Sequence, residues 1–213
     1  MPLRTELLEA LEQVGYADMT PIQAKALPPM LDGQDVVGQA KTGSGKTAAF
    51  GLALLNRIAV EKAVPQAMVI CPTRELAEQV AEEIRRLAQR LANLRVVSLC
   101  GGRPSRDQVQ ALKGGCHVVV GTPGRIAKHE RKRDLDVSFL QTVVLDEADR
   151  MLDMGFIEQV EEILKPCPKD RQTLLFSATF PDEIAQLSSS RVAIESSVSW
   201  LARLPLRPLI QRP

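Results

Sequence analysis

Six short, almost uninterrupted apolar runs constrain this chain more than any other feature: Asp35–Gly38, Ala67–Cys71, Val96–Cys100, His117–Val120, Thr142–Leu145 and Thr173–Phe176. Their interiors do not alternate between apolar and polar residues, so each predicted strand must be covered on both faces. That is the situation of a parallel sheet lying between two layers of helices. Helical patterns fill the gaps. Thr73 can cap a helix in which Leu76, Val80, Ile84, Leu87 and Leu91 recur at spacings of three and four. Gly45–Ile58 and Phe156–Leu164 read as two more, and Leu3–Val14 and Ile22–Met30 precede the first strand. Alternating strand and helix predicts an α/β fold with ligands at the carboxyl ends of the strands.

At 213 residues the chain is long enough for one well-cored domain. We place that domain at residues 1–195 and a linker or atypical tail at 196–213, where prolines and arginines replace apolar periodicity. Val192–Glu195 is expected as a last edge strand. The net charge of +1 argues against a strongly basic nucleic-acid clamp, and an aromatic content of 3% argues against extensive base stacking. A bound single strand would be gripped by phosphate and sugar. The four cysteines include no CxxC pair and there are two histidines, so neither a disulfide framework nor a zinc site is expected. Glu6, Glu9 and Glu12 stand where a signal peptide would need an apolar run, which predicts a soluble, cytoplasmic protein with no membrane partner.

The chemistry concentrates where strands end. Ala40-Lys41-Thr42-Gly43-Ser44-Gly45-Lys46-Thr47 follows the first run and opens a helix. It matches a P-loop except that Ala40 stands at the first glycine. Gly43 and Gly45 let backbone N–H groups close on phosphate oxygens at a helix N-terminus. Lys46 can reach β- and γ-phosphates, and the Thr47 hydroxyl can sit on Mg²⁺. A second acid is needed for the metal, and Asp146 emerges directly from the fifth run to bind it, directly or through water. Glu147 follows, placed to orient or deprotonate an attacking water. A nucleoside triphosphate and Mg²⁺ are thus the expected cofactors, with Lys46, Asp146 and Glu147 as the catalytic set.

Asp146-Glu147-Ala148-Asp149 behind such a loop resembles the DEAD-box family of ATP-dependent RNA helicases. Gly15-Tyr16 with Met19-Thr20-Pro21-Ile22-Gln23 is similar to that family's Q motif. The resemblance implies that the nucleotide is ATP and that Tyr16 and Gln23 serve it, the glutamine reading the adenine edge. Pro72-Thr73-Arg74, Gly101-Gly102 and Thr122-Pro123-Gly124-Arg125 resemble the three segments that hold the RNA backbone. Ser177-Ala178-Thr179 resembles the segment that couples the ATP site to strand separation, partly through Asp149. The matches run in family order and imply a RecA-like P-loop domain. The wording around them is most similar to bacterial members linked to ribosome assembly.

Read from the residues alone, the same segments are less specific. Pro72 and Pro123 can merely punctuate turns, Thr73 can cap a helix, and the basic run Lys128, Arg131, Lys132 and Arg133 is more often a solvated helix end than an RNA patch. Family members use a second RecA-like domain that supplies arginines to the γ-phosphate, and no segment here matches it. The resemblance also includes an aromatic residue upstream of the Q motif, and none precedes Tyr16. These residues by themselves are therefore expected to bind nucleotide weakly, hydrolyse it slowly and unwind nothing. A non-catalytic binding module and a DNA-directed motor remain alternatives, since nothing in the residues recognises a 2′-hydroxyl. Oligomeric state has no signal in the sequence.

Overall fold

All six expected runs are strands, and every strand pairing is parallel. The computed structural model describes residues 2–16, 18–179, 182 and 199–201. In chain order the elements are α1 (Thr5–Val14), α2 (Pro21–Leu31), β1 (Val36–Gln39), α3 (Lys46–Arg57), β2 (Ala67–Ile70), α4 (Arg74–Leu87), β3 (Val96–Leu99), α5 (Ser105–Lys113), β4 (Val118–Gly121), α6 (Pro123–Arg131), β5 (Thr142–Asp146), α7 (Ala148–Asp153), α8 (Ile157–Leu164), β6 (Gln172–Ser177) and β7 (Ser199–Leu201). The sheet runs β3-β4-β2-β5-β6-β1-β7. Val192–Glu195, expected as an edge strand, lies outside the described residues. Within the stretch expected to be linker, Ser199–Leu201 pairs with β1.

The uninterrupted apolar character of the strands has the expected cause. Val36, Val69, Val120, Val144 and Leu174 face a core built with α1, α2, α3 and α4. Their chain neighbours Val37, Met68, Val119, Val143 and Leu175 face a second core built with α6, α7 and α8. Alternate residues thus point to opposite layers, and both sets are buried.

The junction that carries the glycine loop is tightly packed. Phe50 of α3 and Phe176 of β6 are fully buried with ring centroids 5.7 Å apart, each contributing about 2–3 kcal/mol through burial. A side chain at Gly38 would come within 2.8 Å of the Phe176 ring, so only glycine fits there. All four cysteines are free and buried. Among the described residues no helix is long and apolar enough to cross a membrane.

Topology divides the carboxyl edge of the sheet into two halves. The loops after β2, β3 and β4, far apart in sequence, become neighbours because those strands are adjacent. The loops after β5, β6 and β1 become neighbours in the same way.

Candidate functional site

In the β5-β6-β1 half, the glycine loop turns sharply between β1 and α3. Gly43 and Gly45 have φ of 79° and 89°, a region that L side chains rarely occupy, and Gly45 caps α3. A Cβ at Gly45 would also stand 2.8 Å from Gln23 Nε2 and 2.9 Å from Thr20 Oγ1. Thr20 and Gln23 form a capping box on α2. The Gln23 Oε1 accepts from the Thr20 N–H at 2.8 Å, while its Nε2 donates to the Gly45 carbonyl at 3.1 Å. Gln23 therefore ties the start of α2 to the end of the loop. At the loop's other end the Ala40 N–H donates to the Ser177 carbonyl at 2.9 Å, and Gln39 Nε2 donates to the Ala178 carbonyl at 2.9 Å.

The strongest electrostatic feature is a buried cluster across this loop. Lys46 Nζ lies 2.6 Å from Asp146 Oδ1 and 3.7 Å from Glu147 Oε1, with the lysine 3% exposed and Asp146 fully buried. Burial pushes the Asp146 carboxyl up, against the pull of Lys46. Glu147 is held at both oxygens: the Thr42 hydroxyl donates to Oε1, and Arg150 Nη1 donates to Oε2 at 2.7 Å. Burial raises the Glu147 pKa, but these donors and Lys46 outweigh it and leave the group below the ordinary carboxylate value. Glu147 also sits in the left-handed region at φ 55°, uncommon for a residue with a side chain.

Two polar groups here are unsatisfied. Asp146 Oδ2 and Ser44 Oγ are buried with no hydrogen-bond partner among the described residues. Buried polar atoms are normally paired, so an acceptor and a hydroxyl left open in a glycine loop fit a hydrated cation and a phosphate. Among the described residues no group of three or more His, Cys, Asp or Glu is placed to hold a metal. A cation here would thus depend on substrate oxygens and water beside Asp146 and Thr47, the manner in which Mg²⁺ is usually bound.

Asp149 links the acidic turn to β6. Its N–H donates to Ser177 Oγ at 3.1 Å, and its Oδ2 accepts from the Thr179 N–H at 2.9 Å and the Thr179 hydroxyl at 3.0 Å. The structure thus brings Asp149, Ser177 and Thr179 together.

Open space lies on both flanks of the loop. One cleft of about 480 Å³ is lined by Thr20, Ile22, Gln39, Lys41, Gly43 and Ala178. A second of about 380 Å³ is lined by Tyr16, Thr42, Lys46, Thr47, Gln79 and Glu83. Both are in the size range of small-molecule sites. Tyr16 lines the second: its hydroxyl donates to Glu83 Oε1 at 2.7 Å, and Arg86 lies 5.8 Å from its ring centre.

In the β3-β4-β2 half, the three remaining segments lie side by side. Pro72 and Thr73 lead into α4, and the Thr73 hydroxyl accepts from the Leu76 N–H at 3.3 Å. Gly101 and Gly102 follow β3, and Gly102 has φ 75°. A side chain there would collide with the Arg74 guanidinium. Thr122, Pro123, Gly124 and Arg125 open α6 with proline in its first turn. Arg125 Nη2 donates to the Arg103 carbonyl at 3.3 Å, joining the second and third segments. Behind them Gln108 Nε2 donates to the Cys100 carbonyl at 2.8 Å, and its Oε1 faces His129 Nε2 at 2.9 Å. His129 is fully buried, with Nδ1 3.3 Å from Asp134.

The basic run lies elsewhere. Lys128 and Arg131 occupy the last turn of α6, Lys132 is its C-cap, and Arg131 pairs with Glu162 at 3.1 Å. That is a helix end whose dipole favours cations, at the opposite end of α6 from Thr122. Sequence reasoning missed Gln39, Arg150, Gln108 and His129. Only Arg150 left a signal, its spacing of three from Glu147; the others depend on tertiary placement.

The sequence model of the DEAD/DEAH box helicase family matches residues 20–187. The chain is 53% identical to the ATP-dependent RNA helicase DbpA of Escherichia coli (strain K12) over 181 residues, covering 85% of this chain and 40% of that protein. It is 49% identical to the DEAD-box ATP-dependent RNA helicase CshA of Geobacillus kaustophilus over 186 residues, 87% of this chain and 40% of the relative. Among solved structures it superposes on a DEAD box protein from the hyperthermophile Methanococcus jannaschii with TM-score 0.88 and 41% identity, over 94% of this chain and 54% of that one. A Saccharomyces cerevisiae dbp5 variant bound to nup159, gle1, ip6 and adp gives TM-score 0.83 at 32% identity, over 95% and 53%. The chain spans about two fifths of the length of these curated relatives.

Proposed function

Because the chain belongs to the DEAD/DEAH box helicase family, we propose that it is the ATP-binding half of a cytoplasmic motor that remodels RNA duplexes. The observation that carries this reading is the buried Lys46–Asp146 pair, with Asp146 Oδ2 and Ser44 Oγ left without partners beside it. An ion pair at 2.6 Å in a buried loop is a charge arrangement waiting for exchange. Lys46 moves its positive charge from Asp146 to the β- and γ-phosphates, and the glycine-loop N–H groups with Ser44 take the remaining phosphate oxygens. Mg²⁺, held by Asp146 and Thr47, would neutralise charge on the phosphates. Glu147, released from Thr42 or Arg150, orients the attacking water and takes its proton. Gln23, joined to the same loop through Gly45, reads the base. Asp149 passes the state of the site through Ser177 and Thr179.

RNA lies along the other half of the sheet edge, on Pro72–Arg74, Gly101–Gly102 and Thr122–Arg125, held by phosphate and sugar. Relatives named as RNA helicases support that reading. For these 213 residues alone we expect weak nucleotide binding, little turnover and no unwinding. An arginine that stabilises transition-state charge can be worth about a thousandfold or more in rate, and the arginine described at the acidic turn, Arg150, is engaged with Glu147. The test is titration with a fluorescent ADP and Mg²⁺, beside ATP turnover with and without RNA. Weak binding that disappears in Lys46→Ala, with little turnover, is expected. Rapid RNA-stimulated turnover would overturn the half-site reading.

A further inference from the structure

One side chain on the RNA half is arranged as a phosphate would be. Arg74 Nε and Arg103 Nη2 each lie 3.1 Å from the same oxygen of Glu78, Oε1. The two guanidiniums come from different loops, one opening α4 and the other following Gly101–Gly102. Arg103 is held by its main chain, since its carbonyl accepts from Arg125. Gly102 keeps the space that Arg74 occupies. Two arginines, from the segments after β2 and β3, thus meet at one carboxylate, and Arg125 from the segment after β4 braces Arg103 through its carbonyl. The donors keep Glu78 ionised, its pKa lowered first by the Arg74 hydrogen bond.

Two cations on a single oxygen is a poor match: one acceptor is shared while like charges crowd. A phosphodiester offers two non-bridging oxygens, one for each arginine, with the same charge as the carboxylate. The groups are 55% exposed at Arg103, 40% at Arg74 and 34% at Glu78, so a strand can reach them from solvent. We infer that Arg103 is a further RNA-phosphate contact and that Glu78 is an internal stand-in for that phosphate, displaced when RNA binds. Glu78 thereby sets affinity and limits adventitious binding of other anions. The inference rests on the proposed assignment of this edge to RNA.

The experiment is fluorescence anisotropy of this chain with a labelled single-stranded oligouridylate across a salt series. Glu78→Gln should tighten binding severalfold and steepen the dependence of log affinity on log salt by about 0.7 for each phosphate newly engaged. Arg103→Ala should weaken binding and flatten that slope. Glu82→Gln is the control for net charge, because Glu82 lies one turn further along α4 and pairs with Arg85 instead. A gain in Glu82→Gln equal to that in Glu78→Gln overturns the inference, as does unchanged binding in Glu78→Gln and Arg103→Ala while Arg74→Ala and Arg125→Ala still weaken it. If Arg74→Ala and Arg125→Ala also have no effect, the RNA assignment of the whole edge fails first.

Discussion

The two halves of the sheet edge handle charge in opposite ways. Beside β5, β6 and β1 the central charged groups are buried and mutually locked, Lys46 on Asp146 and Glu147 between Thr42 and a half-exposed Arg150. Beside β3, β4 and β2 they are open to solvent and shared, Arg74 and Arg103 on Glu78. Water screens the second set and hardly reaches the first. A buried pair fixes geometry at a desolvation cost, which suits a small ligand held in one pose. An exposed, exchangeable set suits a polymer that must slide and leave. The same strand ends support both because each half draws its loops from adjacent strands.

The sharpest way to break this contrast is to remove one charge from the buried half. Lys46→Met should lower unfolding free energy by about 3 kcal/mol, the cost of stranding a buried carboxylate. Lys46→Met with Asp146→Leu should recover most of it, measured by urea denaturation. A loss well under 1 kcal/mol would mean the pair is as well hydrated as the exposed set.

Acid should then separate the halves. Burial lowers the His129 pKa below 6.5, although Asp134 opposes this and Arg125 and Lys128 reinforce it. Stability from the neutral imidazole is therefore present above pH 6.5 and fades as the pH falls through the folded value. On the other half Asp149 lies below 3.8, because the Thr179 and Ser177 hydrogen bonds outweigh its burial, so its contribution is lost only in much stronger acid. Hydrogen exchange followed from pH 7 downward should open Cys100–Gly102 before Ser177–Thr179. The reverse order would mean that His129 does not support the glycine turn.

The smallest effect concerns Thr73, which both caps α4 and stands among the candidate RNA contacts. Thr73→Ala should cost about 1 kcal/mol of stability through loss of the cap. Thr73→Asp should keep the cap and still weaken RNA binding, since it adds a negative charge at that edge. Equal RNA affinity in Thr73→Asp and the parent chain would leave Thr73 a capping residue alone.

Much of this was legible in the residues, for physical reasons that differ by element. The buried strands announce themselves because both faces are apolar, yet their ends extend past the apolar runs. Gln172, Asp146 and Ser177 are in strands because the backbone ladder continues whatever the side chain. The helix α4 was legible from its long apolar stripe, whereas α7 is only six residues and had no period to read. The glycine loop and the Asp146–Glu147 pair were visible as spacings. The Thr42 contact to Glu147 and the Gln108–His129 support were not, because each joins residues that only the fold brings together. Glu78 stands four residues after Arg74, a visible helical pair, but Arg103, the third partner, comes from another loop.

The position of β1 has a consequence for synthesis. Among the described residues its pairing partners are β6 and β7, with Val36 opposite Leu174 and Gln39 opposite Ser177. A chain emerging at about 5–20 residues per second therefore exposes Val36 and Val37 for roughly ten seconds before their ladder exists. The strand that holds the glycine loop is made early and finished late. During that interval it is a sticky edge seeking any partner, and nucleotide can favour the folded chain only once the last part of the sheet has closed over it.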